Sequence, residues 1–268
     1  MKTIKISQIQ FSAKSTPFKN AELLKKYFEK TKKFNPNLIC TPECSNIITN
    51  DINYLRKNAT FENDCPIINM AKLYAKENNV NINIGSLLLK IKNKKKLVNR
   101  SYFINTKGKI VKTYDKIHMF DVNINKKETH RESDTFQAGS NVILLNIDKI
   151  KIGFTICYDL RFPNLFRKLA QRGAQIILMP AAFTVPSGKD HWEVMLRSRA
   201  IENSLFLVAT DMCGNHHTNR KTYGHSLLVN PWGKIISKAK SKPKILNTNI
   251  NLDEIEHARN KIPAILND

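Results

Sequence analysis

The sequence predicts an α/β fold: a single domain over residues 1–268, built from two layered sheets with helices outside. Three observations carry that prediction. Apolar strand-like runs alternate with amphipathic helical segments along the whole chain. No linker, low-complexity block or repeat of roughly 20–50 residues interrupts them. The 268 residues, 41% hydrophobic, suffice for a full core without a disulfide or metal staple.

The elements follow in order. Residues 3–11 (TIKISQIQF) alternate polar and apolar side chains like a strand. Over 19–33, Leu23, Leu24, Tyr27 and Phe28 recur at helical spacing. Residues 37–41 (NLICT) make a short buried strand. Residues 66–78 read as a second amphipathic helix and 80–91 as a strand. Strands at 99–105 and 109–114 flank Thr106-Lys107-Gly108, a hairpin turn signal. A strand pair follows at 142–147 and 150–156, then a helix at 162–172 stopped by Gly173. Beyond it lie a strand at 175–179, a helix at 190–203 and strands at 205–211, 225–230, 234–238 and 245–250. A helix at 252–260 comes last.

The charge is the loudest compositional feature, with 44 Lys+Arg against 22 Asp+Glu and a net +22. It suggests nucleic acid, but its make-up argues otherwise. Only 10 of the basic residues are arginine and 34 are lysine, whereas bidentate recognition of bases and phosphates favours arginine. The lysines are spread along the chain, and the one dense run, 92–96, reads as a solvated hairpin tip. The excess resembles compositional bias, and no specific nucleic-acid partner is expected. No stretch approaches the roughly 20 apolar residues of a membrane span. The N-terminus lacks the apolar core of a signal peptide, and five cysteines at scattered spacings do not form a secreted disulfide framework. A cytoplasmic protein is the expectation.

Three buried strands end abruptly in chemically capable residues: 37–41 in Pro42-Glu43, 109–114 in Asp115-Lys116, and 150–156 in Cys157-Tyr158-Asp159. Strand ends of layered α/β folds open onto ligand crevices. A cysteine at a strand-to-helix turn meets the helix N-terminus, which favours thiolate and cradles an oxyanion. Each residue alone has an ordinary structural reading: a small buried hydrophobe for Cys157, a turn residue for Glu43, a solvated cation for Lys116.

Taken together, the segments resemble the nitrilase superfamily of carbon-nitrogen hydrolases. TPECSN (41–46) is similar to that family's Glu motif, YDKIHMFDV (114–122) to its Lys motif, and GFTICYDLRFP (153–163) to its Cys motif. RESDTFQAG (131–139) resembles the segment bearing a second Glu. PAAFTVPSGKDHWEVMLRSRAIEN (180–203) and YGHSLLVNPWG (223–233) resemble the substrate loop and closing strands. The deaminated-glutathione amidase and omega-amidase branch is the nearest likeness. The resemblance implies a four-layer α-β-β-α sandwich that associates as a homodimer or higher homo-oligomer. It also implies Cys157 as nucleophile, Glu43 as general base with a raised pKa, and Lys116 as stabiliser of the oxyanion with the Tyr158 N–H. Glu132 would hold Lys116 in place. The implied reaction cleaves the C–N bond of a small carboxylated primary amide through a thioester and releases ammonia.

Carboxylate recognition calls for arginine or backbone N–H groups. Tyr158 and Arg161, with Phe183, Thr184 and His191 of the substrate loop, are the expected binding set. Arg197 and Arg199 stand two apart on one helix and so cannot share a face. Thr210-Asp211-Met212-Cys213-Gly214 departs from the small-residue and Gln run of this branch. Cys40 and Cys44, or Cys213 with His216 and His217, have zinc-like spacing, but neither set offers a second clean pair. Neither metal nor cofactor is expected. The rival readings are a carbamoyl amidase, a nitrilase, a soluble acyl transferase, or a basic non-catalytic nucleic-acid-binding protein.

Overall fold

The computed structural model describes residues 3–125 and 128–265. The N-terminal part contains β1 (Thr3–Gln10), α1 (Pro17–Thr31), β2 (Leu38–Cys40), α2 (Ile52–Asn58) and α3 (Pro66–Glu77). It continues with β3 (Asn81–Lys90), β4 (Leu97–Ile104) and β5 (Ile110–Asp115). The middle holds β6 (Asp121–Asn125), β7 (Glu128–Arg131), the one-turn α4 (Glu132–Thr135), β8 (Leu144–Ile147) and β9 (Ile150–Phe154). A 3-10 turn over Cys157–Arg161 then leads into α5 (Pro163–Gln171). The last third comprises β10 (Ile176–Ala181), α6 (Val185–Asn203), β11 (Phe206–Asp211), β12 (Cys213–Asn215) and β13 (Lys221–Tyr223). It ends with β14 (Leu227–Val229), β15 (Ile235–Lys238), β16 (Lys244–Asn251) and α7 (Asp253–Lys261).

Two six-stranded mixed sheets result, ordered β16-β1-β2-β3-β4-β5 and β15-β14-β11-β10-β9-β8. Period-2 alternation divides the first sheet's side chains between two cores. Ile6, Leu38, Cys40 and Phe103 belong with Phe154, Leu178 and Leu207 of the second sheet. Ile39, Ile82, Ile84 and Ile104 pack with Leu24 and Phe28 of α1 and with Ile67, Ala71 and Ala75 of α3. Leu165, Phe166 and Leu169 of α5 and Trp192, Leu196 and Ala200 of α6 cover the second sheet. This is the α-β-β-α arrangement.

The sheets approach closely where β3 crosses β10. A Cβ on Gly85 would lie 2.0 Å from the Thr41 carbonyl oxygen and 2.5 Å from Pro180 Cβ. Nearby, the buried Gln8 side chain donates across the interface to the Ala209 carbonyl at 2.8 Å.

The structure differs from the sequence reading in a few places. Helix α6 starts five residues before the expected 190, because Pro186 in the first turn pre-sets a helical φ and needs no N–H partner. The strand expected at 225–230 shortens to Leu227–Val229, since Gly224 (φ +71°) and His225 (φ +57°) are left-handed. Helix α2 and the two-stranded ribbons β6–β7 and β12–β13 fall in polar stretches that carry little periodic signal. No helix among the described residues is long and apolar enough to cross a membrane.

Candidate active site

Glu43 follows β2 by way of Pro42, on a turn whose next residue, Cys44, is left-handed (φ +56°). The turn is pinned by Ser45 Oγ donating to the Pro42 carbonyl (2.7 Å) and by the Cys44 N–H donating to Ser86 Oγ (3.0 Å). These bonds hold a carboxylate that is 3% exposed beyond the strand end. Its Oε1 accepts from Asn99 Nδ2 (2.9 Å) and Lys116 Nζ (3.0 Å), and its Oε2 accepts from the Ala182 N–H (2.9 Å).

Lys116 directly follows β5. Its N–H donates to the Asn99 carbonyl and its carbonyl accepts from Gly139, at 3.0 and 2.8 Å. The buried ammonium spans two carboxylates, Glu43 and Glu132, reaching Glu132 Oε2 at 2.8 Å. Glu132 opens α4 and is held by the Phe120 N–H at 2.6 Å. Asn99 Nδ2 also faces Glu132 Oε1 at 3.4 Å, so β4 contributes a polar side chain that touches both acids.

Cys157 ends the segment after β9 in a left-handed conformation (φ +48°), sparsely populated for a residue with a Cβ. Asp159 holds this elbow. Its Oδ2 accepts from the Ile156 N–H (2.8 Å) and the Tyr114 hydroxyl (2.6 Å). Its Oδ1 accepts from the His118 N–H (3.1 Å) and meets His118 Nδ1 at 2.6 Å. The His118 ring stacks on Phe162 at 3.5 Å. The Lys and Cys segments are thereby tied together behind the reactive atoms. Cys157 and Glu43 both line the same cavity, and each shifts the titration of the other.

The electrostatics correct two expectations. The pKa of Glu43 is lowered, not raised: burial pushes it up, but the Lys116 charge and hydrogen bonds from Cys157, Lys116 and Asn99 outweigh burial. Cys157 is pushed well above the ordinary thiol value by burial and then by the charge of Glu43, against smaller pulls from Lys116 and the Ala182 backbone. No long helix begins at Cys157 to offset this, because it opens a five-residue 3-10 turn and α5 starts only at Pro163. The resting pair is therefore a neutral thiol beside an ionised carboxylate. Lys116 is held well above its ordinary pKa: burial works against its charge, and Glu132 and Glu43 more than compensate. Asp211, deep beneath the loop, is pushed well above the usual carboxyl range by burial despite the N–H groups of Phe183, Met212 and Gly224, with Glu43 adding to the rise. Its Oδ1 accepts from the Phe183 N–H at 3.0 Å.

These groups border a cavity of about 510 Å³, a size that suits a small ligand. Glu43, Lys116, Cys157 and Glu132 all line it, as do Tyr158, Arg161, Phe183 and Thr184. His191 does not. It sits on α6 with Nδ1 3.2 Å from Arg161 Nη2, where it orients that arginine from outside. Arg161 also stacks against the Tyr158 and Phe183 rings. Arg197 and Arg199 bond the Gly233 and Leu160 carbonyls and do not reach the cavity. Cys40 and Cys44 point into different cores. Among the described residues, no cluster of three or more His, Cys, Asp or Glu is arranged to hold a metal. Sequence reasoning named Asp159 without a role and passed over Asn99 and Arg220. Asn99 had only a faint signal, as an asparagine after Leu97 and Val98 in the strand LVNRSYFI.

Residues 5–260 match the carbon-nitrogen hydrolase family model. The chain belongs to the carbon-nitrogen hydrolase family. It is a hydrolase of carbon–nitrogen bonds other than peptide bonds. The deaminated glutathione amidase of Yersinia enterocolitica is 38% identical over 232 residues, 85% of this chain and 80% of that protein. Its counterpart in Dictyostelium discoideum is 36% identical over 255 residues, 91% and 87% of the two chains. The fold matches the C. elegans NitFhit protein with a TM-score of 0.92 at 29% identity over 99% of this hydrolase, which spans 65% of that longer chain. It matches a Saccharomyces cerevisiae member of branch 10 of the nitrilase superfamily at TM-score 0.88 and 26% identity, over 98% and 95% of the chains.

Proposed function

We propose that residues 1–268 act as one amidase domain that cleaves a small carboxylated amide through a Cys157 thioester. The observation that carries this reading is the Glu43 carboxylate, which bonds the Lys116 ammonium at 3.0 Å and lines one cavity with Lys116 and Cys157. As the Cys157 sulfur attacks the amide carbonyl carbon, its proton passes to Glu43. The carbonyl oxygen becomes an oxyanion, met by the Lys116 ammonium and the Tyr158 N–H. Collapse of the intermediate breaks the C–N bond, and Glu43 gives its proton to the departing nitrogen. Glu43 then takes a proton from water, whose oxygen attacks the thioester. The sulfur leaves and is reprotonated, and a carboxylic acid is released. Glu132 and Asn99 are positioning residues that fix the ammonium and the base.

The relatives named for deaminated glutathione favour a substrate whose acyl part ends in a carboxylate. That compound has only secondary amides, so its leaving group is an amine, whereas an omega-amide loses ammonia. The free, buried cysteines suit a reducing, cytoplasmic setting. Val194 and Ile201, exposed on the outer face of α6, suit self-association into a homodimer, which sedimentation measures directly.

The test is hydrolysis of deaminated glutathione, α-ketoglutaramate and succinamate by purified enzyme, with intact-mass detection of the acyl-enzyme. Wild type forms product, and Cys157→Ala falls to background. Hydrolysis that persists in Cys157→Ala removes the nucleophile assignment, and inertness toward all three removes the substrate class.

A further inference from the structure

The buried group Glu43–Lys116–Glu132 pairs two carboxylates with one ammonium, so the reacting centre carries a net negative charge. A carboxylated substrate entering the cavity meets that charge and needs a cation elsewhere to offset it. Lys116 is already shared, Arg161 is engaged by His191 and two aromatic rings, and Arg131 is exposed with Nη1 on the His130 carbonyl. Arg220 also lines the cavity and is partly buried, and its guanidinium makes no hydrogen bond or ion pair with the described residues.

Arg220 is delivered by a loop strapped at both ends. The β12–β13 turn closes through the His216 N–H donating to the Arg220 carbonyl at 2.8 Å. Within it, Thr218 (φ +63°) and Asn219 (φ +58°) are left-handed, a conformation a β-branched residue keeps only when its surroundings enforce it. Here they do. Thr218 Oγ1 accepts from the Asn50 N–H at 2.9 Å, His217 Nδ1 meets Thr49 Oγ1 at 3.1 Å, and the His217 ring stacks on Tyr54 at 4.1 Å. On the other side, Thr222 bridges to Thr184 of the opposite wall. The backbone that carries the guanidinium is thus fixed in advance, and only the side chain is left to order when an anion binds.

Resting on the amidase reading above, we propose that Arg220 is a specificity-determining residue that receives the carboxylate on the acyl part of the substrate, so that anionic amides are selected over neutral ones. The acyl part is what deaminated glutathione and omega-amides share, and it is the part retained on Cys157 as the thioester.

The experiment compares glutaramate with valeramide, which has the same chain length and no charge. Arg220→Gln should lower the ratio of their kcat/KM values by roughly 10- to 100-fold, the usual effect of losing a charge-assisted hydrogen-bonded pair. Arg220→Lys should restore part of it. Lys221→Gln removes an equal charge from the exposed neighbour and should leave the ratio as it was. Calorimetry of glutaramate on Cys157→Ala, with and without Arg220→Gln, should show the same factor in Kd without turnover. A ratio unchanged by Arg220→Gln, or an equal loss on both amides, overturns the proposal. If wild type hydrolyses neither amide while the Cys157→Ala protein still binds glutaramate in an Arg220-dependent way, the amidase reading falls and the carboxylate site stands.

Discussion

Replacing Lys116 with Met removes one charge from the site and little volume. Its Nζ lies 3.0 Å from Glu43 and 2.8 Å from Glu132, and the three side chains are 2%, 4% and 14% exposed in that order. Breaking a buried pair from one side costs about 3–5 kcal/mol, because the abandoned charge stays buried. Here two carboxylates are abandoned together, and one relieves the repulsion by taking up a proton. A proton on Glu43 also disables the base, and the missing ammonium leaves the oxyanion uncompensated. Turnover should therefore fall at least about 100- to 1000-fold. Lys116→Met/Glu132→Gln removes one of the stranded acids and leaves Glu43 its Asn99 and Ala182 donors. It should regain most of the stability and none of the rate. The pH dependence follows from the two shifts. Glu43, lowered when folded, contributes stability above its ordinary value near 4.5 and loses it as pH falls through the folded value. Lys116, raised when folded, contributes below its ordinary value near 10.5 and loses it as pH rises through the folded value. The Met variant's deficit should thus be full at neutral pH and shrink in acid. Urea midpoints at constant m, read beside kcat/KM, decide the matter. A Met variant as stable as wild type and within tenfold of its rate would refute the reasoning. So would a double variant that recovers rate together with stability.

Three further outcomes are expected. Asn99→Leu strips one donor from Glu43 and one from Glu132, and should cost about 1–3 kcal/mol and at least tenfold in kcat, with KM little changed; an unchanged kcat denies Asn99 its positioning role. Asp211→Asn keeps an acceptor for the Phe183 N–H and removes a carboxyl whose folded pKa is raised. Such a group loses stability as pH rises from its ordinary value near 3.8 toward the folded one, so the variant should equal wild type near pH 3 and gain on it progressively toward neutrality; a deficit that widens with pH contradicts a neutral Asp211. Gly85→Ala forces a Cβ against the Thr41 carbonyl and Pro180 and should cost about 3 kcal/mol or more in chemical denaturation, whereas a neutral result means the sheets can separate there.

Much of the site was legible because its residues interrupt patterns. Glu43 and Cys157 each follow a run of buried apolar residues, and a reactive side chain at such a place breaks the hydrophobic rhythm, whereas Lys116 follows the edge strand β5, which is half-exposed rather than buried as expected. The structure brings the three together with Glu132. Asn99 was less visible because it lies inside a strand, where Arg100 and Ser101 beside it are polar too. Arg220 was hidden because CGNHHTNRK carries no period, and its position depends on contacts with Thr49, Asn50 and Tyr54, some 170 residues away in sequence. The protonation states were misread for a related reason. A pKa reflects which groups converge in space, and a charged lysine lies within hydrogen-bonding reach of Glu43 while Cys157 faces that same carboxylate. The strand-end rule locates such residues without saying what each will face.

The neutral state of Cys157 bears on how long the enzyme survives in a cell. Peroxides and stray electrophiles attack sulfur in proportion to its thiolate character and access. A cysteine that surrenders its proton only as an amide carbonyl closes on it presents little thiolate between turnovers. Reactivity is thus confined to the occupied site, and oxidative wear should track turnover more than time. The measure is the rate at which peroxide forms sulfenate at Cys157 in the idle enzyme. At neutral pH it should stay below that of an exposed small-molecule thiol and go on climbing beyond the ordinary thiol value of 9.0, and a fast, pH-independent reaction would reveal a standing thiolate.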